Sequence, residues 1–154
     1  MEETKHVIFK LEGEEYGINI MYVNAIEKYV NIIPVPNAPD YIDGIINLRG
    51  DVIPVYSLRR KFGLPKKEVD DSTKLIISKM DDILLAFQVD MAQEITELSP
   101  KNMNEPPRIL KTANTAYIDK VANLDNRMII IMNIKGLLSN SEQKDIEEII
   151  KNYE

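Results

Sequence analysis

The side chains that could do chemistry are few and widely spaced in this sequence. Its 154 residues include a single histidine, His6, and no cysteine. Without cysteine the chain has no disulfide, no thiolate metal site and no cysteine nucleophile. Other catalysis needs a nucleophile, an acid–base pair or a metal with oriented neighbours. His6 stands close to the N-terminus, where we expect a frayed and solvated segment, so no catalytic triad can be built on it.

Pairs of nearby carboxylates are the other candidates for acid–base or metal chemistry: Asp40 and Asp43, Asp70 and Asp71, and Asp81 and Asp82. Carboxylates close together in sequence are common in solvated turns, and this is the favoured interpretation of all three pairs. The chain also lacks a glycine-rich phosphate-binding loop. We therefore expect no enzymatic activity, no cofactor and no bound metal.

The charge balance limits the class of partner. The formal net charge is -6, whereas binding to nucleic acid or to an anionic membrane surface needs clustered cations. Three phenylalanines, seven tyrosines and no tryptophan offer few groups on which bases could stack. The longest apolar run, 128–132, is too short to span a bilayer, and the N-terminus does not resemble a secretion signal. Recognition of another protein remains.

Alternating apolar residues predict a mainly β fold. Two hairpins are expected, one over 7–20 and one over 45–56. The second hairpin turns at Arg49-Gly50-Asp51, where the backbone of a tight turn explains the glycine, so this tripeptide does not indicate an adhesion site.

Helices are predicted between and after the strands, and one of them is about a turn over 58–62 that ends at Gly63. Val23, Ile26 and Val30 fall at helical spacing and predict a short helix over about 22–29. The spacing of a capping box at 139–142, followed by an apolar stripe, predicts a C-terminal helix over about 140–153.

The chain repeats an ordered series of strands and turns. Tyr41-Ile42-Asp43 recurs as Tyr117-Ile118-Asp119, and Asn47-Leu48 recurs as Asn123-Leu124. Strand 52–55 matches 128–131, 16–20 matches 85–89, and 23–26 matches 92–95. Repetition of a whole series favours internal duplication over chance. Two copies are too few for a solenoid and suggest two small barrels packed together.

The stretch 35–55, which reads VPNAPDYIDGIINLRGDVIPV, closely resembles the central sequence of CheW-like chemotaxis coupling proteins. The opening hairpin at 13–20 and the segment 58–62 resemble the same family. The resemblance implies a single domain over 1–154, built from two five-stranded, OB-like, duplicated and strand-exchanged β-barrels. We expect the first barrel over about 7–36 and 117–138, and the second over about 41–100, followed by the C-terminal helix.

The resemblance also implies a function and partners. Members of this family are cytoplasmic, non-catalytic adaptors that couple the cytoplasmic tips of chemoreceptors to the regulatory domain of the histidine kinase CheA. The alternatives are a coupler for a kinase pathway unrelated to motility and a small-ligand-binding β-barrel.

Carried over by position, the resemblance predicts receptor contacts at Val23, Ile26, Gly44, Asn47 and Arg49. It predicts kinase contacts at Ile53, Val55, Tyr56 and Ile109. Asn47 and Arg49 are expected to share a strand face with Ile45, although Arg49 could instead stabilise its own turn or bind Asp51. Ala25 stands where many members have glutamate, and this departure affects the receptor side.

Overall fold

A computed structural model describes residues 3–108 and 116–153. Its eleven strands in that part of the chain are β1 (Thr4–Leu11), β2 (Glu14–Asn19), β3 (Val23–Lys28), β4 (Ile42–Leu48), β5 (Asp51–Tyr56), β6 (Lys74–Met80), β7 (Ile83–Val89), β8 (Met91–Leu98), β9 (Met103–Asn104), β10 (Ile118–Leu124) and β11 (Arg127–Met132). The helices are α1 (Leu58–Lys61) and α2 (Asn140–Tyr153), with short 3-10 turns at Ile20–Tyr22, Pro100–Asn102 and Ile134–Gly136. The prediction of a mainly β fold with short helices and a C-terminal helix is confirmed.

The strands form two sheets with the same internal order. The first sheet runs β8-β1-β2-β11-β10-β9, and the second runs β3-β6-β7-β5-β4. When β1–β5 are matched in order to β6, β7, β8, β10 and β11, the two strand orders are equivalent. The two-residue β9 is the exception. The parallel pairs β2–β11 and β5–β7 occupy equivalent places. The duplication and the strand exchange are therefore confirmed.

Local geometry repeats with the strand order. Arg49 and Gly50 turn the β4–β5 hairpin with φ values of 51° and 88°, and Asp125 and Asn126 turn the β10–β11 hairpin with 48° and 66°. Two positive φ values suit a two-residue hairpin turn, because its twist matches that of the strands.

Two details of the expected organisation are wrong. The region predicted as a helix over 22–29 forms the strand β3. A bulge between Val23 and Ala25 adds one residue to this strand. A bulge brings residues three apart to the same face and so imitates helical spacing. In addition, β3 pairs in the second sheet although it lies within 7–36, and β8 pairs in the first sheet although it lies within 41–100.

Among the described residues, buried apolar side chains form three clusters. One lies inside the second sheet around Ile46, Ile53 and Leu75, and another lies inside the first sheet around Ile8 and Ile129. The largest cluster lies between the sheets, and we call it the inter-sheet core: Val7, Phe9, Leu11, Tyr16, Ile18, Ile42, Ile45, Tyr56, Leu58, Ile76, Leu85, Phe87, Val89, Met132, Ile134, Leu137, Ile146 and Ile149. Each fully buried aliphatic or aromatic side chain of this kind stabilises the fold by about 1.5–3 kcal/mol.

Helix α2 covers one side of the inter-sheet core. The predicted capping box is present: Glu142 N donates to Ser139 Oγ at 3.1 Å, and Ser139 N donates to Glu142 Oε1 at 3.0 Å. The Tyr41 hydroxyl donates to Asp145 Oδ2 at 2.8 Å, which fixes the helix over the second sheet. Burial raises the pKa of Tyr41, so this hydroxyl keeps its proton and remains a donor.

Arg59 joins both sheets at one edge of the inter-sheet core. Its guanidinium binds Asp90 through two hydrogen bonds of 3.2 and 2.6 Å and binds Glu12 Oε1 at 2.8 Å. Asp90 also accepts a hydrogen bond from Glu12 N at 2.9 Å. Glu12 belongs to the β1–β2 turn of the first sheet, whereas Arg59 lies on α1 directly after β5 of the second. Only 10% of the Arg59 side chain is exposed.

His6 is not the solvated terminal residue that its position in the sequence suggested. It lies on β1 opposite Asn19 and Thr96, with 3% of its surface exposed. Its Nδ1 atom has no hydrogen-bond partner within residues 3–108 and 116–153. The ring is buried because β1 pairs with a strand on each side. The distance of His6 from the N-terminus in sequence does not indicate this pairing.

We expect the buried His6 to make stability depend on pH. Burial lowers the pKa of His6 below its ordinary value of 6.5, so the unfolded chain binds this proton more readily. The free energy of unfolding should therefore be highest above pH 6.5 and should decrease as the pH falls below it. Urea denaturation at pH 7.5 and pH 5.5 measures this change. The His6→Gln variant should lose less stability over the same interval, and an equal loss in both proteins would contradict the prediction.

The Arg59 network predicts a large stability effect. Replacing Arg59 with leucine leaves Asp90 and Glu12 without their cation, and removing one member of a buried ion pair costs about 3–5 kcal/mol. Arg60→Leu is the matched control, because Arg60 is an exposed neighbour on α1 and its replacement should cost under about 0.5 kcal/mol. Equal urea midpoints for the two variants would show that the network does not hold the sheets together.

Candidate protein-interaction surface

Four of the five predicted receptor residues lie on two edge strands of the second sheet. Val23 and Ile26 belong to β3, whereas Gly44 and Asn47 belong to β4. Val23 is half-buried against the inter-sheet core, Asn47 is exposed, and 41% of the Ile26 surface is exposed. β3 and β4 are opposite ends of the hydrogen-bonded order of this sheet.

Ile26 extends the inter-sheet core onto the molecular surface. It stands opposite Ile76 in the β3–β6 ladder, and Ile76 stands opposite Phe87 in the β6–β7 ladder. Residues directly opposite each other in a ladder point to the same face of a sheet. Since Ile76 and Phe87 are fully buried members of the inter-sheet core, Ile26 is the exposed end of one apolar row.

The repeat supplies a second residue of this kind, which the sequence analysis did not select. Ile95 on β8 matches Ile26 and stands opposite Val7, which in turn stands opposite Ile18. Val7 and Ile18 are buried in the inter-sheet core, whereas 55% of the Ile95 surface is exposed. The signal was available, because 23–26 had been matched to 92–95.

Arg49 lies in the β4–β5 turn and not on a strand face beside Ile45. Its Nη2 atom binds Glu27 Oε1 on β3 at 2.8 Å, so its partner is neither its own turn nor Asp51. Glu27 and Arg49 come from opposite ends of the sheet order, and their contact requires the second sheet to curl towards a barrel. Arg49 remains exposed, so it can reach another protein as well.

The first sheet has an arginine with a similar position. Arg127 Nη2 binds Glu15 Oε1 on β2 and Glu94 Oε1 on β8, each at 2.7 Å. The hydrogen bond from Arg127 lowers the pKa of Glu94 and favours its charged form. Glu94 is the repeat counterpart of Ala25, which is half-buried against the cluster inside the second sheet. The two copies therefore use this position differently, once for an ion pair and once for packing.

Three of the four predicted kinase contacts cannot be direct ones in this conformation. Ile53, Val55 and Tyr56 are buried on β5, with Ile53 and Val55 inside the second sheet and Tyr56 in the inter-sheet core. A β strand with neighbours on both faces buries every side chain, which explains why both faces of this run are apolar. Ile109 lies outside the described residues.

The candidate carboxylates lie in turns and loops, except Asp43, which lies on β4 and not in the expected turn. Asp70 Oδ1 accepts a hydrogen bond from Ser72 N at 2.8 Å, and Asp81 turns the β6–β7 hairpin with a φ of 53°. Within residues 3–108 and 116–153, no group of three histidine, aspartate or glutamate side chains is arranged to hold a metal ion. No helix in the same part of the chain is long and apolar enough to cross a membrane.

Gly44, one of the predicted receptor residues, allows close packing of the backbone at the edge of β4. Its φ is 150°, and a Cβ atom there would lie 2.3 Å from the carbonyl oxygen of Ile33. Ile33 forms two backbone hydrogen bonds with Ile45, of 2.8 and 2.9 Å, along the outer edge of β4. Gly44 therefore allows the preceding loop to pack against this edge.

Gly44→Ala should be more destabilising than Gly50→Ala. Both glycines have positive φ values, which cost an alanine about 1–2 kcal/mol, but a Cβ at Gly50 would meet no atom within 4 Å. The overlap with Ile33 should add about 1–3 kcal/mol to the cost at Gly44. Urea denaturation of the two variants gives the comparison. Equal losses of stability would mean that the Ile33 segment moves away freely.

Comparison with known proteins agrees with this architecture. A family model described as the CheW-like domain matches residues 5–142. The chain is 31% identical over 147 residues to a chemotaxis protein CheW of Klebsiella aerogenes, covering 96% of this chain and 89% of the relative. It is 32% identical over 134 residues to that of Bacillus subtilis, covering 87% and 86%. The crystal structure of the scaffolding protein TtCheW from Thermoanaerobacter tengcongensis matches with a TM-score of 0.83 and 32% identity, over 92% of this chain and 97% of that chain. The protein described here therefore belongs to the CheW-like domain family.

Proposed function

We propose that this protein is a non-catalytic cytoplasmic adaptor that couples the tips of chemoreceptors to a CheA-type histidine kinase at receptor arrays. Family membership supports a role in chemotaxis, because the similar curated proteins are chemotaxis proteins and the similar solved structure is a scaffolding protein. The observation that supports binding most directly is the pair of exposed isoleucines, Ile26 and Ile95, on the two edge strands.

The receptor side of the proposal uses the edge strands. We propose that the receptor tip presents an amphipathic helix, because such a helix binds through apolar side chains laid against an apolar surface. Ile26 and Ile95 each continue the inter-sheet core outwards, so a helix covering either of them would extend a surface that is already well packed. Val23 lies on the same strand as Ile26 and is half-buried against the inter-sheet core, while Asn47 and Arg49 add polar contacts from the β4–β5 hairpin. Gly44 supports this surface indirectly, because it allows the Ile33 segment to pack against β4.

The kinase side of the proposal uses the rim of the second sheet. Since Ile53, Val55 and Tyr56 are buried, we place the contact on their accessible neighbours. A groove of 500 Å³ at this rim is lined by Asn47, Gly50, Asp51, Val52, Asp82, Leu84, Ile150 and Tyr153. The buried β5 residues would support this rim from behind. A contact at Ile109 stays a prediction.

Binding measurements test both sides. We expect this protein to bind the regulatory domain of the CheA-type kinase and the receptor tip of the same organism, titrated separately by calorimetry. Ile26→Ser and Ile95→Ser should each weaken receptor-tip binding by about tenfold or more, because truncation of a central apolar contact costs about 2 kcal/mol. Met128→Ser is the control, since 56% of the Met128 surface is exposed on a different strand. Arg49→Glu should also weaken receptor binding.

The fold of each variant is checked by circular dichroism and urea denaturation. The exposed Arg49–Glu27 pair contributes less than about 1 kcal/mol, so Arg49→Glu should remain folded. Absence of binding to both the kinase domain and the receptor tip would overturn the proposed function. Binding that is equal in all three serine variants would instead overturn the assignment of Ile26 and Ile95.

A further inference from the structure

The duplication brings corresponding residues to two edges of the inter-sheet core. The β1–β2 turn begins after Leu11 and the β6–β7 turn after Met80, so Glu12 corresponds to Asp81. Asp90 follows β7 and corresponds to Met21, which follows β2 by the same alignment. Continuing the match of 52–55 with 128–131 pairs the fully buried Leu58 with Ile134, so Arg59 corresponds to Lys135. The Arg59 network at one edge therefore has a defined counterpart at the other.

The first of these edges is closed by charge. Arg59 lies between the carboxylates of Asp90 and Glu12 at 2.6 and 2.8 Å, so its side chain is almost entirely removed from solvent. Asp90 accepts from both Arg59 and the backbone of Glu12, and it is the residue that completes the network. We call this the closed edge.

The second edge has no such closure. A groove of 540 Å³ lies there, lined by Met21, Tyr22, Lys79, Met80, Asp81, Ile83, Lys135, Leu138 and Gln143. Tyr22, Met80, Ile83 and Leu138 pack against the inter-sheet core and form its apolar floor. Met21 takes the place of Asp90, and 71% of its surface is exposed. We call this the open edge.

Two cations, Lys79 and Lys135, line the open edge. Within residues 3–108 and 116–153, neither Lys79 nor Lys135 forms an ion pair, although Asp81 lines the same groove. The corresponding cation at the closed edge is neutralised by Asp90. The open edge thus has the cation and the apolar floor, but the carboxylate that completes the closed edge is replaced by an exposed apolar side chain.

We propose that the open edge binds a segment of a partner protein in which an aspartate or glutamate stands beside an apolar side chain. The partner's carboxylate would pair with Lys135 in the way that Asp90 pairs with Arg59 at the closed edge. The partner's apolar side chain would pack between Met21 and Ile83. This inference rests on the proposed function, because the partner is sought in the same signalling assembly. It adds a contact surface separate from Ile26, Ile95 and the rim of the second sheet.

The test uses the whole protein with methyl-labelled methionine, and the purified kinase regulatory domain and receptor tip as probes. One of the two partners should shift or broaden the Met21 methyl signal. Lys135→Glu should weaken binding of that partner by about tenfold, with a smaller loss at high salt. Lys101→Glu is the matched control, because it changes the net charge equally at an exposed position outside the groove. Met21→Ser should weaken the same partner without the salt dependence.

A charge exchange identifies the carboxylate. Replacing single acidic residues of the partner with lysine should reveal one position at which binding to Lys135→Glu recovers. If both partners bind the wild-type protein while Met21 is unaffected and Lys135→Glu behaves like Lys101→Glu, the open edge is not a contact surface and the proposed function stands. If neither partner binds the wild-type protein, both proposals fail. Equal perturbation of Met21 by millimolar succinate alone would overturn a protein segment in favour of a small-molecule site.

Discussion

The inter-sheet core is the contact on which the rest of this structure depends. Its members come from both halves of the chain, and its rows run from the fully buried Ile76 and Val7 towards the edge strands. Each sheet also contains strands from both copies of the repeat. One copy alone would leave a face of large apolar side chains in water, which the other copy covers in this structure. Both copies of the repeat are therefore needed to bury the core of this fold.

The accessible features of the molecule follow from how this core ends. Where a row of the core reaches an edge strand, it leaves Ile26 or Ile95 exposed. Where the core meets the connections after β5 and β11, one edge is sealed by Arg59 and the other is left with Lys135 and Met21. An adaptor needs several separate contact surfaces on a rigid body. Here each proposed surface is a place where the packing of the inter-sheet core ends.

The sequence predicted the class of fold, the repeat and the capped C-terminal helix, because these depend on local periodicity and on residues close together in the chain. It did not predict β3, since the bulge at Val23 gives a strand the spacing of a helix. It missed the burial of His6 and the Arg49–Glu27 contact for a different reason. Both depend on strand pairing over long separations, which apolar alternation does not specify. Ile109 and the partner contacts stay predictions.

The strand exchange also sets an order for folding during synthesis. All strands of the second sheet lie between residues 23 and 89, so that sheet has its full set of strands while the last third of the chain is still being made. The first hairpin leaves the ribosome before the other strands of its sheet, and its neighbours β8 and β11 emerge much later. In a nascent chain the β2 edge of the hairpin over 4–19 therefore stays unpaired until residues 127–132 emerge. During this time the hairpin is the segment most exposed to aggregation or chaperone capture.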